Sequence, residues 1–221
     1  MNAGVPLLVD LAGRRVVAVG AGPVAAAKTA PLLEAGADLV VVAPQAVPAI
    51  RAAAAGGRLV WHARGYAAGD LAGAFLVVAA TADPAVNARV AADAAAQATF
   101  CVRTDREADA AGPGSAAMLG AVRRGQLTVA VSTGGRAPAV ARHVRQELEE
   151  AFGAEYGELV ALLGEVRDAP ATRAHLAGLD PAARRAAWRA VPLPDILDLL
   201  RNGDFTSARE LAYACLCSSS D

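Results

Sequence analysis

Aromatic residues are scarce in this chain: they make up 4% of its 221 residues, although 55% of the residues are hydrophobic. A core must therefore be built mainly from small side chains such as Ala and Val. Cysteine is also rare, and Cys101, Cys215 and Cys217 are too few for a disulfide framework, which indicates a reducing compartment. The two thiols of the tail cannot complete a tetrahedral site, so we predict no metal ligands.

Long hydrophobic runs and an excess of charge are missing too. The apolar runs are of strand length, well short of the roughly 20 residues that a membrane span needs. The formal net charge of −1 creates no field that favours nucleic acid or an anionic membrane. The N-terminus has no basic start, so we expect no signal peptide. These absences predict a cytoplasmic protein that binds neither nucleic acid nor membrane.

Strand-like and helix-like segments alternate through the first hundred residues. Apolar runs without polar alternation are typical of strands covered on both faces, and the alternation with helices is typical of a parallel sheet. The sequence therefore predicts a Rossmann-like, doubly wound α/β domain. The predicted strands are 15–20, 38–43, 58–63, 74–81 and 99–104, and the longer predicted helices are 23–36 and 83–97.

The pattern changes after the fifth strand. Polar and small residues predict a loop over 105–117, a sixth strand over 126–133 and a helix over 137–152. Short helices are then predicted near 155–168, 171–178, 181–190, 194–202 and 204–216. We therefore expect three parts: a nucleotide-binding domain over 1–112, a strand–helix unit over 113–153 and a small helical domain over 154–221.

The stretch "RVVAVGAGPVAAAKTAPLLEAGADLVVVAP", from Arg15 to Pro44, carries a variant of the dinucleotide fingerprint. Gly20 permits the tight turn, and Gly22 lets a pyrophosphate approach the backbone at the positive end of a helix. Ala25 replaces the third glycine, where a methyl group is tolerated if helix and strand leave room for it. Pro23 presets the backbone at the helix start, beside Val24. The alternative is a glycine turn that binds nothing.

The acidic residue that usually binds the ribose is missing after the second strand. Ala43, Pro44 and Gln45 stand there instead, and Gln45 could bond the ribose hydroxyls without a charge. Arg51 follows half a helix later, too far along the chain to meet a 2′-phosphate directly. This arrangement favours NAD over NADP.

Residues after the fourth and fifth strands lie at the same sheet edge, where doubly wound sheets bind ligands. Thr81 and Ala82 are candidate cofactor contacts, and Asp83 is predicted to cap the next helix, where Asn87 is compatible with a surface position. Asp105 could accept a proton from a bound substrate, although a solvated loop acid or a cap is the alternative. Glu107 and Asp109 are rivals in the same loop.

A second candidate anion site follows the sixth strand in "STGGRAP". Backbone donors, hydroxyls and a guanidinium before a helix suit a carboxylate or phosphate, while a local cap is the plainer alternative. Its residues are Ser132, Thr133, Gly134, Gly135 and Arg136. A substrate with several carboxylates would also use nearby arginines, which could equally be solvated: Arg103, Arg106, Arg123, Arg124, Arg136 and Arg142.

Taken together, "VVAVGAGPVAAAKTAPLLEAGADLVVVAP", "AATADPAVNARV", "FCVRTD" and "LTVAVSTGGRAPAVARHVRQELE" resemble the siroheme-synthase N-terminal family over about residues 5–155. The resemblance implies NAD-dependent oxidation of precorrin-2 to sirohydrochlorin, with metal insertion left open. It also implies a homodimer built around the strand–helix unit, and it makes Asp105 the general base. Its NAD contacts carry over to Gly22, Pro23, Val24, Ala43, Pro44 and Gln45.

Two departures from the family pattern lie on the substrate side. The family usually has an Asn two or three residues before the aspartate, where this chain has Val102 and Arg103. The following loop, "GPGSAAMLGAV", is longer and lacks an aromatic residue. Two other functions stay open at this point: a regulatory module that senses NAD(H) without chemistry, and a chelatase without oxidation activity. The arginine set and "STGGRAP" argue against the sensor, because a sensor needs no second anion site.

Overall fold

The computed structural model describes residues 4–105 and 115–217. The chain divides into two compact units. The first unit extends to Met118 and includes the short segment Gly134–Ala137. The second unit comprises Leu119–Thr133 and the chain from Pro138 onward.

The first unit is built on a parallel sheet with strand order β3-β2-β1-β4-β5-β6. The first three strands extend from β1 toward one edge of the sheet. The chain then crosses over to β4, which pairs with the other side of β1, and continues toward the opposite edge. This order is that of the Rossmann fold, and it confirms the predicted fold class. Its elements are β1 (Arg15–Val19), α1 (Pro23–Glu34), β2 (Asp38–Val42), α2 (Pro48–Ala55), β3 (Val60–His62), β4 (Leu76–Ala79), α3 (Pro84–Ala96), β5 (Phe100–Arg103) and β6 (Ser115–Ala116).

Alternate residues of the central strands supply two separate hydrophobic clusters. Val16 and Val41 belong to the cluster on one face of the sheet, and Val17 and Val77 belong to the cluster on the other face. Covering both faces explains why these strands are apolar at every position. Ala25, at the third fingerprint position, is fully buried in the first cluster, so a methyl group fits where the motif usually has glycine.

The second unit combines an antiparallel hairpin with helices. Val122 of β7 pairs with Val129 of β8 in this hairpin. The helices after α4 enclose their own hydrophobic cluster, which includes Val166, Ile196 and Leu216. This confirms the predicted helical region. The elements are β7 (Gly120–Arg124), β8 (Leu127–Val131), α4 (Pro138–Ala151), α5 (Glu155–Asp168), α6 (Pro170–Gly178), α7 (Pro181–Arg189), α8 (Leu193–Arg201) and α9 (Phe205–Cys217).

The structure corrects the prediction for the segment of the chain between β5 and β8. Residues 115–116, predicted as part of a loop, form β6 and pair with Cys101 and Val102 of β5. The prediction also missed β7, because Arg123 and Arg124 give its end a polar character. The rest of the predicted loop, residues 106–114, lies outside the described residues.

The helices of the described ranges are too short or too polar to cross a bilayer.

Candidate active site

The bend after β1 is shaped by its first glycine. Gly20 has φ +108°, and a Cβ atom placed there would lie 2.3 Å from the carbonyl oxygen of Ala80, just after β4. The Gly20 N–H donates to the Val42 carbonyl oxygen at 2.9 Å, and the Ala80 N–H donates to Val19 at 2.8 Å. Only glycine fits a left-handed bend held this closely between two strand ends.

Gly22 occupies the N-cap of α1, and the space beside it is open. A Cβ atom at Gly22 would meet nothing within 4 Å, and no side chain of the helix start caps this end. The first intrahelical bond runs from the Ala26 N–H to the Gly22 carbonyl oxygen, at 2.9 Å. The N–H groups of Gly22, Val24 and Ala25 therefore precede the helical ladder at its positive end, where a pyrophosphate fits.

The loop after β2 is bonded to this bend. The Val47 N–H donates to the Ala21 carbonyl oxygen at 2.9 Å, while Pro44 and Gln45 are exposed beside the buried Ala43. The indole N–H of Trp61 donates to the Ala43 carbonyl oxygen at 3.0 Å, which fixes the end of β2.

Arg51 lies closer to the end of β2 than its sequence position indicates. Its guanidinium donates to the Ala46 carbonyl oxygen at 2.5 Å, so the side chain folds back toward the loop. Arg51 thus contacts the loop after β2 although it lies inside α2. Sequence spacing alone could not reveal this contact, because it depends on how the side chain folds back.

A polar network fixes the end of β4. The Asn87 side-chain oxygen accepts from the Thr81 N–H at 3.0 Å and from the Thr81 hydroxyl at 2.8 Å, and its amide donates back to the Thr81 carbonyl at 3.1 Å. Asn87 is fully buried, which excludes the surface position that the sequence had left open. Asp83 accepts from the Ala85 N–H at 2.8 Å, which confirms its predicted role as the cap of α3. Ala82 is exposed between them.

Asp105 follows β5 and is held by Arg103. Arg103 donates from Nε to one carboxylate oxygen at 3.0 Å and from Nη2 to the other at 2.8 Å. This bidentate pair lowers the pKa of Asp105 below its usual range, partial burial opposes it, and the amide of Asn87 adds to the lowering. Asp105 is therefore a carboxylate at neutral pH. Glu107 and Asp109, its rivals in the sequence, lie outside the described residues.

The residues after β8 form a glycine-containing turn before α4. Gly134 and Gly135 both have positive φ, +62° and +77°, which explains the two adjacent glycines. Ser132 and Arg136 are exposed, and Thr133 is half-buried. The compact-unit division runs through this turn, between Thr133 and Gly134.

The structure assigns different surroundings to the predicted arginine set. Arg124 donates to the carbonyl oxygens of Phe152, at 2.8 Å, and Glu149, at 3.0 Å, so it binds the carboxyl end of α4 rather than standing in solvent. Arg103 is paired with Asp105, and Arg106 lies outside the described residues. Exposed positions are occupied by Arg123, Arg136 and Arg142.

Within residues 4–105 and 115–217, three or more His, Cys, Asp or Glu side chains do not gather as they would around a bound metal ion.

The parallel sheet, the glycine bend and the uncapped start of α1 define a Rossmann-type dinucleotide-binding protein. Residues 7–111 match a family model for NAD(P)-binding domains, which agrees with this class and gives a nicotinamide dinucleotide as the type of cofactor. Residues 124–151 match the model described as "Sirohaem biosynthesis protein central".

Similar proteins cover nearly the whole chain. Siroheme synthase of Pseudomonas putida strain W619 is 39% identical over 95% of this chain, and that of Azotobacter vinelandii is 38% identical over 97%. The chain spans only 43% and 44% of these relatives. A solved structure, "SirC, precorrin-2 dehydrogenase", matches with a TM-score of 0.69 and 24% identity, covering 96% of this chain and 98% of that one, and this likeness concerns the fold. These matches agree with the resemblance to the siroheme-synthase N-terminal family.

Proposed function

We propose that this chain catalyses the NAD-dependent oxidation of precorrin-2 to sirohydrochlorin in siroheme synthesis. The observation that carries the proposal is Asp105, an ionised carboxylate that accepts two hydrogen bonds from Arg103. It follows a strand of the same parallel sheet whose glycine bend leaves open space at a helix start. The names of the family relatives and of the similar fold agree with this reaction.

The oxidation removes a hydride and a proton from the substrate. A bound nicotinamide supplies the acceptor for the hydride. Asp105 takes the proton, because its carboxylate oxygens are ionised and lie at the edge where parallel sheets bind ligands. β4 separates β5 from β1, so at the usual strand spacing Asp105 and the glycine bend lie roughly 10 Å apart along the sheet.

The proposed cofactor contacts surround the bend. The N–H groups of Gly22 and Val24 bind the pyrophosphate, with Gly20 and Pro23 shaping the turn that presents them. The loop that bonds to the bend would hold the adenosine end of the cofactor, and the residues after β4 would hold the nicotinamide end. The remaining contacts are Ala43, Pro44, Gln45, Thr81 and Ala82.

We propose NAD rather than NADP as the cofactor. Gln45 is exposed at the end of β2 and can bond both ribose hydroxyls. Arg51 already donates to Ala46, which engages part of its guanidinium. Calorimetric titration with both dinucleotides tests the choice, and tighter binding of NADP would overturn it.

The turn after β8 is the proposed substrate site. Backbone N–H groups of adjacent glycines in left-handed conformations can converge on one anion, as a carboxylate substituent of a tetrapyrrole would require. The hydroxyls and the exposed guanidinium add donors to them. The residues are Ser132, Thr133, Gly134, Gly135 and Arg136.

We also propose that the chain forms a homodimer through the strand–helix unit, 113–153. Helix α4 has no fully buried residue, and Val140 on it is 52% exposed. Residues of β8 alternate between half-buried and exposed, so one face of the hairpin stays open. Sedimentation equilibrium should give twice the monomer mass, and a strictly monomeric protein would contradict the proposal.

The three cysteines form no disulfide, which fits the proposed cytoplasmic location.

The reaction is tested by adding precorrin-2 and NAD to the purified protein. The absorbance of sirohydrochlorin and of NADH should rise together. Asp105→Asn should lower the rate by about 100-fold or more, since the amide cannot accept the proton. Asp70→Asn is the matched control, because Asp70 is also bound bidentately by an arginine, Arg64, after a different strand.

Three results would change the assignment. Full activity of Asp105→Asn would remove that residue from the mechanism. NAD binding without any tetrapyrrole binding would favour the sensing module. Metal insertion into sirohydrochlorin with Fe²⁺ or Co²⁺, in a preparation that cannot oxidise precorrin-2, would favour the chelatase.

The cofactor site is tested separately at Gly22. Gly22→Ala adds a methyl group in open space at φ −79°, so the free energy of unfolding should change little. The same methyl group would occupy the pyrophosphate position and should weaken NAD binding by about tenfold or more, as a lost charge-assisted bond would. Gly65→Ala is the control, since its added Cβ also meets nothing within 4 Å. Equal NAD affinity in both variants would place the pyrophosphate elsewhere.

A further inference from the structure

We propose that Arg103 is a positioning residue for the oxidation: it fixes the plane and the charge of the Asp105 carboxylate. The inference rests on the proposed function, in which Asp105 accepts the proton. It assigns a role to a residue at which this chain departs from the pattern of the resemblance.

The geometry of the pair is well suited to this role. Arg103 is the last residue of β5 and lies opposite Ala79 of β4 in the sheet register, so its backbone is fixed. The next residue, Thr104, donates its N–H to the Ala79 carbonyl at 3.1 Å, so the parallel pairing continues one residue past Arg103 and fixes the backbone that leads to Asp105. Two parallel N–H···O bonds then define the carboxylate plane, which one bond could not do.

Asn87, on helix α3, is a neutral group that also lowers the pKa of Asp105. Its side-chain oxygen accepts from the Thr81 N–H, and its amide donates to the Thr81 carbonyl. The buried amide therefore cannot rotate without breaking its bonds to the backbone at the end of β4.

The pair also sets the charge of the proposed base. Among the described residues, Arg103 is the charged group that lowers the pKa of Asp105, and Asn87 is a neutral contributor in the same direction. Asp105 and, to a smaller extent, Cys101 raise the pKa of Arg103. Both side chains of the ion pair are less than one-fifth exposed, so solvent screens them incompletely. Asp105 therefore stays ionised, and able to accept a proton, at pH values where an unpaired aspartate would begin to lose its charge.

The experiment compares two Arg103 variants with the wild type in two readouts. The first readout is the titration of the Asp105 carboxyl carbon by carbon-13 NMR, without substrate or cofactor. The second is the pH profile of kcat/KM for precorrin-2 oxidation, whose acid limb reports the base of the free enzyme. Asn87 is left intact, because its loss would leave the partly buried Thr81 N–H without its acceptor and endanger folding.

Arg103→Gln removes the charge. The pKa of Asp105 and the acid limb should both rise, by about one to three pH units, the usual effect of a nearby opposite charge. Arg103→Lys keeps the charge but loses the two parallel bonds, so the acid limb should stay near that of the wild type while kcat falls several-fold. Arg64→Gln breaks the comparable Arg64–Asp70 pair and should leave both readouts unchanged.

The outcomes separate this inference from the proposed function. A wild type that does not oxidise precorrin-2 overturns the proposed function. An active wild type, together with an Arg103→Gln variant that keeps the wild-type titration, acid limb and kcat, overturns only the role of Arg103. A lower kcat in Arg103→Gln with an unmoved titration would also overturn it, since a general structural defect lowers the rate without changing the pKa.

Discussion

Val40, Val17 and Val77 lie side by side on β2, β1 and β4, and each is at most 4% exposed. In the hairpin of the second unit, Val122 is buried, but its cross-strand partner Val129 is only half-buried. Helices cover both faces of the first sheet, whereas the second sheet has one open face. The same kind of side chain is therefore held by two layers in one unit and by one layer in the other.

This difference in packing suits the two units to different roles. A sheet closed on both faces gives rigid strand ends, and the proposed site residues Gly20, Thr81 and Asp105 follow such ends. A sheet with an open face has apolar area left to bury, which a second copy of the chain can cover. If the two units differ in this way, equivalent substitutions in them should lower the free energy of unfolding by different amounts, and these amounts can be measured.

The largest difference is expected between two glycines with positive φ. Gly20→Ala places a Cβ atom 2.3 Å from the Ala80 backbone, and we expect it to lower the free energy of unfolding of the first unit by roughly 3–5 kcal/mol. Gly125→Ala, in the hairpin turn, has φ +55° but a nearest atom at 3.6 Å, so the cost should be about 1 kcal/mol. Urea unfolding measures both, and equal costs would mean that the bend at Gly20 can relax.

The first sheet was predictable because its strands carry a strong signal. Runs such as Val16–Val19 and Leu39–Val42 are apolar at every position, and helical segments separate them. Strand ends were less predictable: the fourth strand was expected at 74–81 and spans Leu76–Ala79. The apolar pattern continues past the point where the backbone leaves the sheet, so hydrophobicity alone could not locate the ends.

The hairpin and the polar contacts of the site were harder to predict. The sequence of β7 is GAVRR. A strand in a two-stranded sheet with one open face has few apolar residues, so its hydrophobic signal is weak. The place of Asn87 stayed ambiguous because a buried amide and a surface amide look alike in a sequence. Its partner Thr81, six residues earlier, and the Asp105 contact depend on the tertiary fold. A signal existed at Arg103, two residues before Asp105, but spacing alone does not show that the side chains meet.

A smaller difference is expected between two valines. Val17→Ala removes two buried carbons from a closed sheet and should cost about 2 kcal/mol, counting the lost burial and the cavity. Val129→Ala removes a half-buried side chain and should cost less than about 1 kcal/mol at protein concentrations where the chain is monomeric.

Protein concentration sharpens this comparison. If a second copy covers the open face of the hairpin, the cost of Ala130→Asp, on that exposed face, should increase at concentrations that favour the dimer, because the new charge is then buried by the partner. The costs of Val17→Ala and of Val129→Ala, which lies on the covered face opposite Val122, should not depend on concentration. Urea unfolding at two concentrations, tenfold or more apart, checks both statements, and a concentration-independent cost at Ala130 would place any dimer contact elsewhere.

The smallest effect is expected from the ion pairs. In the first unit, Arg64 and the Ala67 N–H bond Asp70, whose pKa lies below its usual range chiefly because of the Arg64 hydrogen bond, with burial opposing. In the second unit, Arg209 and Glu165 pair with both side chains more than half exposed, and such surface pairs contribute little.

Asp70→Asn should therefore lower stability at neutral pH, whereas Glu165→Gln should not. A carboxylate with a depressed pKa stabilises the fold above its unfolded pKa of about 3.9, and this contribution disappears as the pH falls through the folded pKa. The urea midpoints of wild type and Asp70→Asn should thus converge as the pH drops below 4, while Glu165→Gln should match the wild type throughout. A gap that persists in acid would mean that Asp70 acts through its neutral hydrogen bonds and not through its charge, so the two units would differ in packing alone.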